Sequence, residues 1–437
     1  MAPGGGRQSV KHRIRRMHPM RHVMTRTLAT LERADADEIR RYQERQLRAL
    51  VRVAARRSPF YRDWFRTADV RPSDIQSLDD LARLPLLSRS DLVDRVDDFL
   101  VYPRRLMWPA RSSGTSGSVV TAYRTPGSSV YELAVLDRQW SWFGLPSDAR
   151  RVILRGSSFA SDQQGKPTKP LPGANQLLVS SFQLTPDNIR PIAEEIRAFE
   201  PHAVEGWPSS VALLASLLRD CDMRMPVRAI ITSSEVMSAG QQRLMRDVFG
   251  GPIVDHYGQT ERVAMAGGCE QGGYHVFPDY GIVELLPGPG ARDRWEIVGT
   301  PLHNWGFPLF RYRTGDEVGP AGAGPCPCGR AFERIGAIDG RVEDSFVAAD
   351  GRPLPLPSTI LDDLIGLRMA QIAQLSPGRF EGRVVPGAGY DADQTTQQVR
   401  RNVDRYFGTG QVVSVRTFST LPHAASGKFR CVVVDGR

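Results

Sequence analysis

The sequence predicts an α/β protein: a large layered body with mixed sheets, helices and a β subdomain, followed by a small α+β unit. Three observations predict it. Between residues 151 and 257, short apolar runs alternate with stretches of helical periodicity, the pattern of a mostly parallel sheet joined by crossover helices. From 281 to 318 the pattern changes, and the runs 281–286 and 295–298 read as antiparallel strands. The segment 319–330 is rich in Gly, Pro and Cys, and after a short bridge, 334–344, a separate α+β pattern begins.

Taken in order, residues 1–25 form a basic lead-in carrying Arg7, Lys11, His12, Arg13, Arg15 and Arg16. Residues 28–56 are expected to be one helix, because Leu28, Leu31, Ile39, Tyr42, Leu47, Leu50, Val51 and Val53 recur near helical spacing. The aromatic segment 58–65 then breaks it and supplies packing anchors. Short helices and turns fill 74–107, around Leu84-Pro85-Leu86-Leu87. A helix rich in Leu and Trp is expected at 128–143. Strands follow at 151–155, 202–206, 227–232 and 253–257, separated by helices at 189–199, 211–218 and 241–249. The C-terminal unit has strands near 380–385 and 412–418 and a helix at 396–406. The expected divisions are therefore 1–25, 26–341 and 342–437.

Composition narrows the functional classes. Of 437 residues, 41% are hydrophobic and 24% charged, as in a globular protein. No apolar run reaches membrane-spanning length, and no apolar stretch follows the basic lead-in, so neither a membrane span nor a secretory signal is expected. The net charge of +9 comes from 57 Lys+Arg against 48 Asp+Glu spread along the chain. Such a spread suits anionic small ligands better than nucleic acid, for which no motif is present. Five cysteines, an odd and sparse number for the length, point to a reducing, cytoplasmic compartment.

Several stretches carry chemistry. Ser112-Ser113-Gly114-Thr115-Ser116-Gly117-Ser118 alternates hydroxyls with glycines, so its backbone N–H groups can form a nest for a polyphosphate, although a flexible surface loop has the same composition. His256-Tyr257-Gly258-Gln259-Thr260-Glu261 follows an apolar strand, and strand ends in α/β sheets are where ligands bind. Tyr257 can stack on a flat ring, and Thr260 and Glu261 offer a hydroxyl and a carboxylate for magnesium. A plain turn into a capped helix explains the same residues. Asp316, ending Arg311-Tyr312-Arg313-Thr314-Gly315, can accept two hydrogen bonds from a ribose diol or close an Asx-turn. Gly340-Arg341-Val342-Glu343-Asp344 reads as a hinge or a solvated linker. Lys428 is one of four lysines in the chain, and the one in the C-terminal unit. It is either a solvated surface residue or a cation that neutralises developing charge.

Together and in this order, Ser112–Ser118, Tyr257–Glu261, Arg311–Asp316 with Arg341, and Lys428 resemble the adenylate-forming acyl/aryl-CoA synthetase superfamily. The segments 58–65, 84–92, 308–316, 326–330 and 426–430 are similar to its phenylacetate–CoA ligase-like branch. The resemblance runs from about residue 40 to the C-terminus. It implies a large N-terminal domain that binds ATP and a carboxylic acid, with a small mobile C-terminal lid hinged near Glu343. Ser112–Gly117 would hold the β- and γ-phosphates, Tyr257 would stack on adenine, and Asp316 and Arg341 would bind the ribose. Thr260 and Glu261 would serve the α-phosphate and magnesium, and Lys428 would bridge phosphate and substrate carboxylate. The family loop carries a basic residue where Ser118 stands, so this chain departs from the pattern there. The implied reaction forms an acyl-AMP from an aryl or arylalkyl acid and passes it to CoA. Transfer to an amine or a carrier protein, and a non-catalytic nucleotide-binding scaffold, are the alternatives. A homodimer is compatible with the family.

Trp207, Ser233, Ser234, Glu235, His256 and Gly258 occupy positions where relatives line the acid pocket. Trp207 would favour a flat acyl group or serves core packing; Glu205 and Glu235 could meet an amino group on a substrate. Cys269, His275, Cys326 and Cys328 make a Cys₃His set suited to structural zinc, or are reduced thiols and a histidine in a Gly/Pro loop.

Overall fold

The computed structural model describes residues 20–111, 120–154, 166–288, 293–322, 324–341, 346–347, 353–354, 360–361, 364–407, 409–422 and 429–435. By contacts the chain divides into two compact units. One comprises Met1–Trp142, His256–Pro289 and Asp293–Ile338; the other comprises Phe143–Asp255, Gly290–Arg292 and Asp339–Arg437. One of these divisions falls near the expected boundary at 341/342, and residues 143–255 group with the C-terminal portion.

In the first unit the single helix expected over 28–56 is two helices, Met20–Glu32 and Ala36–Arg57. The cause is Asp35. Its carboxylate accepts the Glu38 N–H at 2.8 Å while the Glu38 carboxylate accepts the Asp35 N–H at 3.1 Å. This capping box starts a helix regardless of the apolar spacing that continues across it. Ser58 ends the second helix and caps a third, Pro59–Thr67, so the aromatic segment is itself helical. Its anchoring role is as expected: Phe60 stacks on Phe99 at 3.9 Å between centroids. The Tyr61 hydroxyl donates to the Pro308 carbonyl at 2.9 Å and accepts the Phe310 N–H at 3.1 Å.

The antiparallel strands expected after residue 281 are present as Gly281–Pro287, Trp295–Pro301 and Tyr312–Val318. Among the strands that were not legible in sequence are Met265–Gly268 and Tyr274–Val276, which pair antiparallel. The first is short and ends in two glycines. It pairs with the end of Ile253–Gly258, setting Tyr257 opposite Ala266.

A half-buried histidine, His303, whose Nε2 is shielded from solvent, lies in this unit. Its Nδ1–H donates to the Tyr280 carbonyl at 2.9 Å, and its ring packs against Tyr280 and Tyr131, with centroids 3.9 and 5.5 Å away. Burial, with Arg262 and Arg124 nearby, pushes its pKa down to about 3, against the smaller opposing effect of the Tyr280 carbonyl. An unfolded histidine titrates near about 6.5, so between that pH and about 3 the unfolded chain takes up a proton that the folded one refuses. Stability should therefore fall as pH drops through this window, by up to about 1.4 kcal/mol per pH unit from this group. Urea midpoints measured from pH 7 to pH 4 check it. His303→Asn keeps a donor for Tyr280 and should flatten the slope; an unchanged slope would contradict the assignment.

In the second unit, strands Gln176–Val179, Arg151–Leu154, Ala203–Gly206 and Ala229–Ser233 are parallel neighbours in that order, with Thr168–Leu171 antiparallel at the edge. Helices Ile189–Phe199, Pro208–Asp220 and Ala239–Phe249 complete the crossovers. Strand cores such as Val152, Leu154, Val204 and Ile230 are buried, which is why they read as continuous apolar runs. Residues 367–434 contribute a sheet of Leu367–Ser376 and Arg379–Pro386, flanked by parallel Val432–Val434 and Val412–Thr417, with helix Ala392–Phe407. Within the unit Met369 packs against the apolar cluster of the parallel sheet, and Arg368 Nε meets Asp220 Oδ2 at 3.1 Å. Among the described residues no helix is long and apolar enough to cross a membrane.

Candidate functional site

The first group of candidate residues is assembled in the first unit, where the chain leaves strand Ile253–Gly258. Tyr257 is 9% exposed and its hydroxyl donates to Asp316 Oδ2 at 2.7 Å. Asp316 sits on strand Tyr312–Val318 just after Gly315, whose φ of +72° suits glycine. The Asp316 N–H donates to Thr314 Oγ1 at 3.1 Å, and that hydroxyl donates to the Ile297 carbonyl at 2.7 Å. The turn is therefore closed by the Thr314 hydroxyl, not by an Asx contact of Asp316, whose carboxylate faces the tyrosine.

Glu261 is 2% exposed, and its Oε1 accepts the Tyr312 hydroxyl at 3.2 Å. The Thr260 carbonyl accepts from Arg124 Nη2 at 3.0 Å. Burial lowers the Arg124 pKa, while Tyr280 and Glu261 work against that shift. Arg124 and Tyr312 had not been singled out; in a chain this rich in arginine, nothing in the sequence marks one of them. The turn is backed by glycines. A Cβ on Gly299 would lie 2.7 Å from Val263 Cγ2, and one on Gly281 would run into the Val263 carbonyl. Gly258, by contrast, faces open space.

The second group lies in the second unit, at the ends of parallel strands. Trp207 is half-buried and caps helix Pro208–Asp220 with Pro208 in its first turn. Glu235 accepts the Ser209 N–H at 3.0 Å, at the start of that helix, where its dipole favours an anion. Glu205 is ion-paired with Arg151. Both carboxylates are therefore engaged within the protein. Gly206 is required by packing, since a Cβ there would lie 2.9 Å from Leu154 Cβ. Ser233 is half-buried at the end of its strand, and the next residue, Ser234, is exposed with a φ of +71°.

The Cys₃His set comes together. The ligand atoms of Cys269, His275, Cys326 and Cys328 all lie within 4.8 Å of one another. Cys269 Sγ and Cys326 Sγ are 3.8 Å apart, and Cys328 Sγ is 3.3 Å from His275 Nε2. Two sulfurs each about 2.3 Å from a tetrahedral zinc would be separated by about 3.8 Å, so the residues fit the ion. His275 Nδ1 lies 3.0 Å from the Phe332 carbonyl, and donation to it leaves Nε2 with its lone pair facing the thiols. Burial lowers the His275 pKa and so favours the neutral ring a metal needs.

Ser112 to Gly117, Ser118, Glu343 and Lys428 lie outside the described residues, and of Arg341 only the backbone, in strand Ile338–Arg341, is described.

No protein-family model matches the chain. Protein CapK of Staphylococcus aureus is 20% identical over 292 residues, covering 65% of this chain and 64% of CapK. The phenylacetate-coenzyme A ligase of Pseudomonas putida is 26% identical over 351 residues, covering 73% of this chain and 74% of that protein. Among solved structures, 2-hydroxyisobutyryl-CoA ligase in its postadenylation state, in complex with R3-HIB-AMP, matches with a TM-score of 0.72 at 18% identity, over 93% of this chain and 91% of that one. In sequence and fold the chain is thus similar to the adenylate-forming CoA ligases. The superfamily couples ATP-dependent acyl-adenylate formation to CoA ligation. The mixed α/β architecture expected from the sequence, with several sheets and helices, matches that of this solved CoA ligase.

Proposed function

We propose that this chain activates an aryl or arylalkyl carboxylic acid with ATP and passes the acyl group to the thiol of CoA. A carboxylate oxygen attacks the α-phosphorus, the bond to the β-phosphate oxygen breaks, and pyrophosphate leaves. The CoA sulfur then attacks the acyl carbonyl carbon and AMP leaves. The observation that carries this reading is the hydrogen bond between Tyr257 and Asp316, 2.7 Å long, with buried Glu261 four residues after Tyr257. Adenine and ribose are adjacent in ATP, so a stacking ring and a diol acceptor must be adjacent too.

In this reading Tyr257 stacks on the base, Asp316 and Arg341 take the ribose, and Ser112–Gly117 take the terminal phosphates. Glu261 and Thr260 would hold magnesium, which screens the two anions that must meet; the Glu261 carboxylate is the hard oxygen donor that ion takes. Arg124, on the Thr260 carbonyl, fixes the turn. Lys428 belongs to the C-terminal lid, which turns near Glu343. Trp207, Ser233, Ser234, Glu235, His256 and Gly258 line the acid pocket. The engagement of Glu205 and Glu235 with Arg151 and Ser209 leaves them poorly placed to recognise an amino group, which favours an uncharged, flat acyl group. Zinc at the Cys₃His set supplies structure, not chemistry.

Pyrophosphate release tests the proposal with phenylacetate, benzoate and a short aliphatic acid, each with and without CoA. An aryl acid should release pyrophosphate and, with CoA, give a thioester, at a kcat/KM at least about tenfold above the aliphatic acid, as a filled apolar pocket allows. An absence of release with every acid would leave a non-catalytic scaffold. Release with CoA left unacylated would favour another nucleophile, and an aliphatic preference would remove the aryl assignment.

A further inference from the structure

We propose that the second unit carries a separate binding cleft for a small anion bearing two linked phosphates. An open surface cleft of about 460 Å³ is lined by Arg150, Arg197, Arg224, Arg228, His202 and Glu200, among others, with Arg197, Arg224 and Arg228 exposed. Its place in the fold sets it apart from the acid pocket. Arg150, His202 and Arg228 each immediately precede a parallel strand, Arg151–Leu154, Ala203–Gly206 and Ala229–Ser233 respectively. Trp207 and Ser234 follow the opposite ends of two of these strands. The cleft is thus at the edge where the strands begin, away from the edge where α/β sheets usually bind their substrates.

Four guanidiniums face one carboxylate among the lining residues, leaving an excess of three positive charges. Arg150 is tied down, donating Nε to the Glu200 carbonyl at 2.8 Å and reaching Glu200 Oε2 at 3.4 Å. Arg224 donates to the Asp247 carbonyl at 3.0 Å. Arg197 and Arg228 have no side-chain partner among the described residues. His202 reports the same imbalance. Its Nδ1 accepts the Arg150 N–H at 3.1 Å, so the neutral ring carries its proton on Nε2, a donor. Its pKa is lowered by burial and then by Arg150 and Arg228, with Asp148 opposing.

The missing partner is an anion. Guanidiniums bind phosphate oxygens in pairs, and a diphosphate brings about three negative charges and enough oxygens for two such forks. The volume lies within the range of about 300–1,000 Å³ that small-ligand pockets occupy, too little for a folded protein surface. Inorganic pyrophosphate and a nucleoside diphosphate share this chemistry.

The test uses the full chain labelled with ¹³C at histidine Cε1, the His202 signal being assigned by its loss in His202→Gln. Titration with inorganic pyrophosphate should shift that signal saturably and raise its pH midpoint, since a bound anion offsets Arg150 and Arg228. The double variant Arg197→Ala/Arg228→Ala should bind at least about tenfold more weakly, each fork lost being worth that much. Its melting temperature should stay at the parental value, which reports an intact fold. ADP binding more tightly than pyrophosphate identifies a nucleotide as the ligand; equal binding identifies the inorganic ion. A His202 signal that ignores millimolar pyrophosphate, a response retained in the double variant, or a response to heparin alone would each overturn the proposal.

Discussion

Replacing Lys428 by Ala is expected to slow pyrophosphate release by about a hundred- to a thousandfold, the usual cost of deleting one group aimed at developing charge. The same variant, given a preformed acyl-adenylate and CoA, should make thioester at close to the parental rate. The asymmetry follows from the chemistry. Only the first step brings a carboxylate against a polyphosphate, so only that step needs a mobile ammonium; the second starts from a mixed anhydride that is already a good electrophile. In the sequence Lys428 falls between Leu421 and Phe429, which are both buried and pack together with Val385. Equal melting temperatures of Lys428→Ala and the parent would establish that the fold is intact. Equal loss in both half-reactions would contradict a lid that brings Lys428 in for adenylation only.

Stripping the metal from the Cys₃His set should have the largest effect on stability. The ligands come from both ends of a long stretch, Cys269 and His275 near one end and Cys326 and Cys328 near the other. A metal there joins segments that otherwise share a few short strands. An ion held at about a thousand times its dissociation constant stabilises the folded state by about 4 kcal/mol. In a unit of this size that corresponds to a melting temperature lower by roughly 8–16 °C once it is gone. Dialysis against a chelator, or Cys326→Ser, should produce that drop, and zinc readdition should reverse the first but not the second. Protein purified without a polyhistidine tag should contain about one zinc per chain by elemental analysis. A content far below that, with no change in melting, would leave reduced thiols as the correct description.

The sequence made some of this legible and hid the rest for physical reasons. Buried parallel strands such as Arg151–Leu154 and Ala229–Ser233 stood out because both faces meet core, so runs such as Val152–Leu154 and Ala229–Ile231 are apolar without a break. Helix Ile189–Phe199 was readable at both ends because its buried Ile189, Ile192, Ala193 and Ile196 keep helical spacing. Thr168–Leu171 was not, because an edge strand with exposed Lys169 and Pro170 needs little apolar surface. Asp35 broke a helix that periodicity alone would continue. The pairing of Tyr257 with Asp316 joins residues far apart in the chain; only the resemblance to a superfamily placed them at one ligand. Arg124 illustrates the limit: its importance lies in a carbonyl it touches, and a carbonyl has no letter.

The glycines behind Val263 carry a further implication. Because neither Gly281 nor Gly299 has room for a methyl group, the backbone at Val263, two residues after Glu261, is closely backed from two strands. Drift at Gly281 or Gly299 is closed off, whereas at exposed Ser234 it is open. A lineage built on this chain could thus vary the strand end at Ser234 while the packing behind Glu261 stayed fixed.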